Sequence, residues 1–233
     1  MKIKFLTIIC LYPILIFSGI PFVSESQTTG YMYISGGFKS LDLKEINQRL
    51  EIYNYPQFSD KFYSISIGDQ IIYRRLSLNT EAGSVLVKNS SSDNYSAYIS
   101  ADWLYLKGEL GYILFKQKNC HIYPFIGMGG AQINLSIVDH LDSDFNSNLD
   151  DPHKMIRFST RCLVLNVGWG LDYYLKLINI GGEDKGIILG LKAGYNYTPY
   201  QMSWTVENIN IDHGPKTGFN GPYIELIIGG GEL

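Results

Sequence analysis

Leu163-Val164-Leu165-Asn166-Val167-Gly168-Trp169-Gly170-Leu171-Asp172-Tyr173-Tyr174-Leu175-Lys176 alternates without a break. One set of positions is Leu163, Leu165, Val167, Trp169, Leu171 and Tyr173; the other is Val164, Asn166, Gly168, Gly170, Asp172, Tyr174 and Lys176. Successive strand side chains point to opposite faces, so the stretch has one large apolar face and one small or polar face. A soluble sandwich would turn the apolar face to a core. A transmembrane barrel turns it to lipid and keeps small and polar residues in the lumen. Which way the apolar face looks decides the fold.

The same alternation recurs on both sides of this stretch. Gly30 to Phe38 sets Met32, Ile34 and Phe38 against Tyr31, Tyr33, Ser35 and Gly37. Phe62 to Tyr73 sets Tyr63, Ile65, Ile67 and Ile71 against Ser64, Ser66, Gly68 and Gln70. After a reversal at Tyr73-Arg74-Arg75, Leu76, Leu78, Thr80 and Ala82 oppose Ser77, Asn79, Glu81 and Gly83. A polar linker, Lys88 to Asn94, leads to a fourth strand from Ser96 to Phe115. His121 to Ile137 is the fifth strand, where the apolar phase slips at Gly129-Gly130, so a bulge is expected there. The opening stretch is the sixth strand, Gly186 to Tyr197 the seventh, and Ile224, Leu226 and Ile228 mark the eighth.

The connections sort by length. The first, third, fifth and seventh are long: a helical segment, the Lys88 linker, the acidic loop Asp139 to Lys154, and Thr198 to Gly221. The second, fourth and sixth are short. An outer-membrane barrel has an even strand number, short periplasmic turns and longer external loops, whereas a sandwich has no reason to sort its loops by parity. In the first connection Asp42 reads as an N-cap with Glu45 three residues on, Leu41 can staple onto Ile46, and Pro56 ends the segment. The expected fold is therefore all-β: an eight-stranded antiparallel transmembrane β-barrel with a short helix in the first long loop and both ends of the mature chain in the periplasm.

Composition agrees. Of 233 residues 18% are charged, and 24 Gly and 18 Tyr are high for this length. Lys2 and Lys4 precede an apolar run from Phe5 to Phe22, and Ser24-Glu25-Ser26 offers a cleavage point, so residues 1–26 read as a signal peptide and 27–233 as the barrel domain. Without that segment 17 basic and 21 acidic residues remain, a mild acidic balance without basic clusters that argues against nucleic acid as a partner. Past the leader no apolar run approaches the ~18 residues of a membrane helix. A disulfide between Cys120 and Cys162 is possible in an oxidising compartment, but they fall near opposite rims of the strand map and a bridge needs Cα atoms within about 7 Å, so two free thiols are the expected state.

Glu81, Lys107, Glu109, Gln132, Asp172, Lys192 and Glu225 all fall on the inner parity and form the expected polar network of the interior. Isolated buried charges are expensive, so these must pair. Candidate chemistry is sparse. Asp142, Asp144 and Asn146 stand at alternate positions like calcium-loop ligands, but Ser147 replaces the turn glycine and His153 the twelfth-position glutamate; a solvated acidic loop fits better. His140, His153 and His213 are scattered over loops. Ser203, Asp212 and His213 share the last long loop without triad spacing. No catalytic, cofactor or metal residue is assigned, and the chain is not expected to be an enzyme.

Gly36-Gly37-Phe38 leading into Asp42-Leu43, and Tyr123-Pro124-Phe125-Ile126-Gly127-Met128-Gly129-Gly130, together with the alternating strands over residues 28–233, resemble the small outer-membrane β-barrel families of OmpA/OmpX type and related barrels of Bacteroidetes-like bacteria. The resemblance implies a bacterial outer-membrane location, with outer-membrane lipids and the barrel-assembly machinery as partners and no cofactor. An eight-strand interior is just wide enough for side chains to fill, which disfavours a general pore. The expected role is structural or surface-interacting, through the long external loops. The rivals are a narrow channel or small apolar-ligand carrier, a lipid-modifying outer-membrane enzyme, and a soluble secreted barrel.

Overall fold

The computed structural model describes residues 28–91, 95–102, 107–117, 119–139, 155–180 and 183–232. The strands are β1 (Thr28–Ser40), β2 (Lys61–Tyr73), β3 (Leu76–Ser91), β4 (Tyr95–Asp102), β5 (Lys107–Tyr112), β6 (Phe115–Gln117), β7 (Cys120–Asp139), β8 (Met155–Ile180), β9 (Glu183–Gln201), β10 (Trp204–Val206), β11 (Ile209–Ile211) and β12 (Gly221–Glu232), with one helix, α1 (Lys44–Ile52). Every pairing is antiparallel. β4 and β5 both lie between β3 and β7, with β6 continuing against β7, so they form one run round the sheet. From β7 the pairing passes through β8 and β9 to β12, and β12 pairs back onto β1. Eight runs thus close into a ring. Among the described residues no helix is long and apolar enough to cross a membrane.

The register fixes how steeply the strands lean. A row drawn straight across the strands from Thr29 passes Ile72, Ser77, Gly111, Phe125, Gly168, Gly194 and Tyr223, and returns to β1 at Lys39, ten residues further on. With ~4.8 Å between strands and ~3.3 Å per residue, that stagger over eight runs tilts the strands by about 40°. The tight Tyr73-Arg74-Arg75-Leu76 turn, with Arg74 in the left-handed region (φ 57°), marks the short-turn end; the helix and the β10–β11 hairpin mark the long-loop end.

The apolar faces look out. Met32, Ile34, Phe38, Tyr63, Ile65, Ile67, Leu110, Ile126, Met128, Val167, Trp169, Leu189, Tyr195, Ile224, Leu226 and Ile228 are all exposed. The opposite parity is buried, and its contents change along the ring axis. Towards the short-turn end it holds Tyr31, Ile72, Ile113, Tyr123, Tyr174 and Ile188. The middle holds charged groups. Towards the long-loop end Val85, Ile99, Ala131, Ile133, Cys162 and Val164 meet Leu41, Leu43, Ile46, Leu50, Phe58, Trp204 and Phe219 in an apolar plug.

That plug overturns two expectations. The β7–β8 register runs unbroken from Cys120↔Tyr173 to Val138↔Met155, so no bulge interrupts Gly129-Gly130. Ile133 and Leu135 keep the phase of Tyr123 and Phe125 and point inward, because the mouth of the ring is itself an apolar core. By the same phase Gln132 sits on the outward parity. Two connections are also shorter than expected. Lys88 to Ser91 belongs to β3 and pairs with β4 across a local register shift, and β8 extends well beyond Leu163 and Lys176. The signal segment, the acidic loop with Asp142, Asp144 and Asn146, His140 and His153 lie outside the described residues.

Helix α1 seals the mouth. Ile46 and Leu50, four apart, turn the same face into the plug. The Asn47 side chain donates to the Phe58 carbonyl (2.8 Å) and accepts from the Phe58 N–H (2.9 Å), fixing the segment that leads back to β2 against the helix. Leu43, not Asp42, is the N-cap, and no side chain caps it. Asp42 is held instead by a backbone bridge to Gly218, and the Glu45 carboxylate accepts from the Lys216 N–H (2.7 Å). The helix is thus tied across the mouth rather than capped within itself. In the last long connection β10 and β11 are joined by Glu207-Asn208, both left-handed (φ 48° and 68°), the geometry of a two-residue hairpin turn. β10 then pairs with β8 at Thr205↔Ser159.

Gly168 and Gly194 face each other across β8 and β9, and the rings of Phe125 and Tyr223 lie against them. A Cβ on Gly194 would overlap the Val167 carbonyl and the Gly168 Cα. We expect Gly194→Val to lower stability by about 1–3 kcal/mol, the usual cost of overpacking. The check is a reduced urea midpoint, read from the gel shift between folded and heat-unfolded protein.

Candidate functional site

Five runs of the ring send charges into its middle. Lys39 comes from β1, Glu81 from β3, Lys107 and Glu109 from β5, Lys192 from β9 and Glu225 from β12, and all are buried. Lys39 Nζ lies 2.6 Å from Glu225 Oε1 and 3.7 Å from Glu81 Oε1. Lys107 Nζ lies 2.5 Å from Glu109 Oε1 and 3.8 Å from Glu81 Oε1. Lys192 Nζ reaches across to Glu109 Oε2 at 2.7 Å. Three lysines and three glutamates balance, so the layer carries no net charge.

Neutral donors and rings complete it. Asn166 Nδ2 donates to Glu109 Oε1 (2.6 Å) and to the Tyr223 hydroxyl (3.3 Å). Lys192 lies over the rings of Tyr33 and Phe125 (5.5 Å each), and Lys107 over Tyr223 (5.4 Å). Desolvated ion pairs need such additional partners to offset the loss of water. A chain of hydrogen bonds then leads towards the short-turn end. The Tyr33 hydroxyl donates to Asn79 Oδ1 (2.7 Å), Asn79 Nδ2 donates to Gln70 Oε1 (3.3 Å), and Gln70 Nε2 donates to Asp172 Oδ2 (3.3 Å), which also accepts from the Tyr31 hydroxyl (2.8 Å).

Of the residues singled out in the sequence, Glu81, Lys107, Glu109, Lys192 and Glu225 meet in one cluster. Asp172 is buried in the next layer and is linked to the cluster by hydrogen bonds through Gln70, Asn79 and Tyr33 and by the nearby charge of Lys192. Gln132 stands apart: half-buried on the outer parity, it donates to Asn134 (3.1 Å) and accepts from Arg161 (3.2 Å). Sequence reasoning missed Lys39, although it shares the parity of Tyr31, Tyr33 and Ser35. Tyr31, on the same face, is interior and its hydroxyl donates to Asp172. Cys120 and Cys162 are free.

The second concave feature lies at the long-loop end. A cleft of about 700 Å³ opens between the start of α1 and the β9–β11 segment, and Asp42, Lys44, Gln201, Ser203, Asp212 and His213 are among its walls. Ser203, Asp212 and His213 thus share a cleft, yet no hydrogen bond joins them among the described residues, and the geometry of an activated nucleophile is absent. No cluster of potential metal ligands occurs among the described residues. The buried layer pairs charges from five runs across the middle of the ring.

Neither a protein-family model nor a curated protein sequence matches the chain. Among solved structures, the chain is similar to Neisserial surface protein A (12% identity, TM-score 0.35, covering 89% of this chain and 97% of that one). It is also similar to Ail, the attachment invasion locus protein of Yersinia pestis (9%, 0.39, 89% and 98%), and to the outer membrane protease OmpT from Escherichia coli (8%, 0.32, 90% and 96%). These neighbours are bacterial outer-membrane proteins.

Removing one partner of the buried pairs should cost far more than removing both. Lys39→Met leaves Glu225 without its short ion pair, and we expect it to lower stability by about 3–5 kcal/mol. Lys39→Met combined with Glu225→Gln should recover most of that loss. The measurement is the urea midpoint of both variants against the parent chain.

Proposed function

We propose that the chain is an integral β-barrel of a bacterial outer membrane with a structural or surface-interaction role, acting through its long-loop end. The observation that carries this reading is the inversion of faces: exposed Leu, Ile, Met, Trp and Tyr outside, and buried Lys and Glu inside. On β8 the outward apolar band includes the stretch from Leu163 to Leu175. Those residues, tilted by about 40°, span about 30 Å, the thickness of a bilayer hydrocarbon core. Arg161 and Arg157 follow beyond one end of this stretch, and at the other the exposed Leu177 and Ile178 continue it past Lys176.

The closed interior argues against the channel and carrier readings. An ion crossing the ring would have to pass the apolar plug, the neutralised charge layer and the aromatic layer in turn. The lipid-modifying reading lacks a converged nucleophile. Outer-membrane lipids and the assembly machinery are then the obligate partners, and a further partner would be met by the long connections, the β10–β11 hairpin and the mouth cleft. No cofactor is needed.

Membrane fractionation of the expressed chain tests the reading. The chain should pellet with outer membranes, resist extraction by alkaline carbonate and migrate differently before and after boiling. Recovery in the soluble periplasm would refute the proposal. In planar bilayers the folded chain should give no stepwise conductance, and steady ion-selective steps would restore the channel reading.

A further inference from the structure

Two polar groups interrupt the outward apolar band, and they complement each other. The first is Asp69 on β2, between Ile67 and Ile71 on the same face, the one charged side chain inside the band among the described residues. Its hydrogen-bond partner on the chain is the hydroxyl of Thr80, opposite it on β3. Beyond Thr80 the outer surface falls away at Gly108, where an added Cβ would meet nothing within 4 Å. The second is Trp169 on β8, 56% exposed and flanked by Pro124 and Ala193, so its ring stands proud. Its indole N–H has no acceptor among the described residues. Hydrocarbon supplies neither acceptors nor donors, and an ionisable residue facing it points to an unmet partner.

The register places the two at one depth. From Asp69 the straight row reaches β8 at Leu165, by way of Thr80, Gly108 and Met128. One circuit advances the row ten residues towards the long-loop end, so this half circuit has advanced it five. β8 descends towards the short turns, and the position level with Asp69 is therefore Gly170, adjacent to Trp169. Three runs lie between β2 and β8 on either side, which puts acceptor and donor on opposite sides of the ring.

We propose that Trp169 of one copy donates its indole N–H to the Asp69 carboxyl group of a second copy, the ring filling the recess at Gly108, so that the chain self-associates side by side in the membrane. The proposal rests on the membrane reading above. Donor and acceptor are level and diametrically opposed, so each contact relates neighbours by translation. The assembly is a head-to-tail open row, not a closed dimer.

The test uses the full mature chain folded into phosphatidylcholine vesicles over a range of protein-to-lipid ratios, with association read by energy transfer and by a cross-linking ladder. The parent chain should give a ladder that lengthens with protein density. Asp69→Leu and Trp169→Phe should each weaken association about tenfold, the worth of one interhelical-type hydrogen bond in a membrane. Both should keep the folded gel mobility, since Asp69→Leu only extends the apolar band. Mixing the two variants should give dimers that grow no further, because one intact donor meets one intact acceptor and both outer faces are blank. A parent chain monomeric at every ratio, variants that associate like the parent, or a mixture without dimers would overturn the proposal. A chain that failed to insert or to shift on heating would instead count against the membrane reading.

Discussion

The seam between β1 and β12 is the contact on which the rest depends. At that seam Gly37 lies so close to the β12 backbone that a Cβ would overlap the Ile224 carbonyl. Two residues on, Lys39 pairs with Glu225 across the same gap at 2.6 Å. An open sheet would leave two edges of unpaired N–H and C=O groups and would expose the charge layer to whatever surrounds it. Closure removes both liabilities at once, because a ring has no edge and its inward charges see only one another. The missing side chain at Gly37 and the balanced ion pair beside it are two halves of one solution.

Within the closed ring the three interior layers divide the work. The central layer supplies specificity: each glutamate reaches at least one lysine from another strand, and these pairs form only when the register is right. The aromatic layer towards the short turns fills volume beside Gly168, Gly170 and Gly194, whose missing side chains make room for Tyr123, Phe125 and Tyr223. The plug at the other end is built from residues far apart in sequence, with Trp204 and Phe219 in the same core as Leu43 and Ile46. The Thr217 hydroxyl, donating to the Asp42 carbonyl (2.8 Å), ties the last connection to the first, and the Trp204 indole, donating to the Pro215 carbonyl (2.7 Å), holds the last connection to itself. Among the described residues, the first and last connections at the long-loop end are thus joined to each other.

Much of this was legible in single strands. The outward set of β8, from Leu163 to Tyr173, follows directly from period-two alternation, as do the inward positions of Glu81, Lys107, Glu109, Asp172, Lys192 and Glu225. The misreadings share one cause. Expecting every apolar residue to face one medium makes the phase slip at Gly129-Gly130, whereas Ile133 and Leu135 point inward because the interior is apolar at one end and charged in the middle. A bulge at Gly129-Gly130 was then invoked to explain a change of composition that involved no change of phase. Gln132 went to the wrong face for the same reason. Lys39 was overlooked because it stands at the end of its strand, where alternation gives the least warning.

Sequence alone determined that the chain is made of alternating strands joined by long and short connections, since pleating ties side-chain direction to position without help from anything distant. Only the tertiary structure decided the ten-residue stagger, and with it which charges meet, which layer each inner residue joins, and that Asp69 and Trp169 stand level on opposite sides. Stagger is a property of the closed sheet as a whole. No strand carries it, because the same alternation fits every register that differs by two residues.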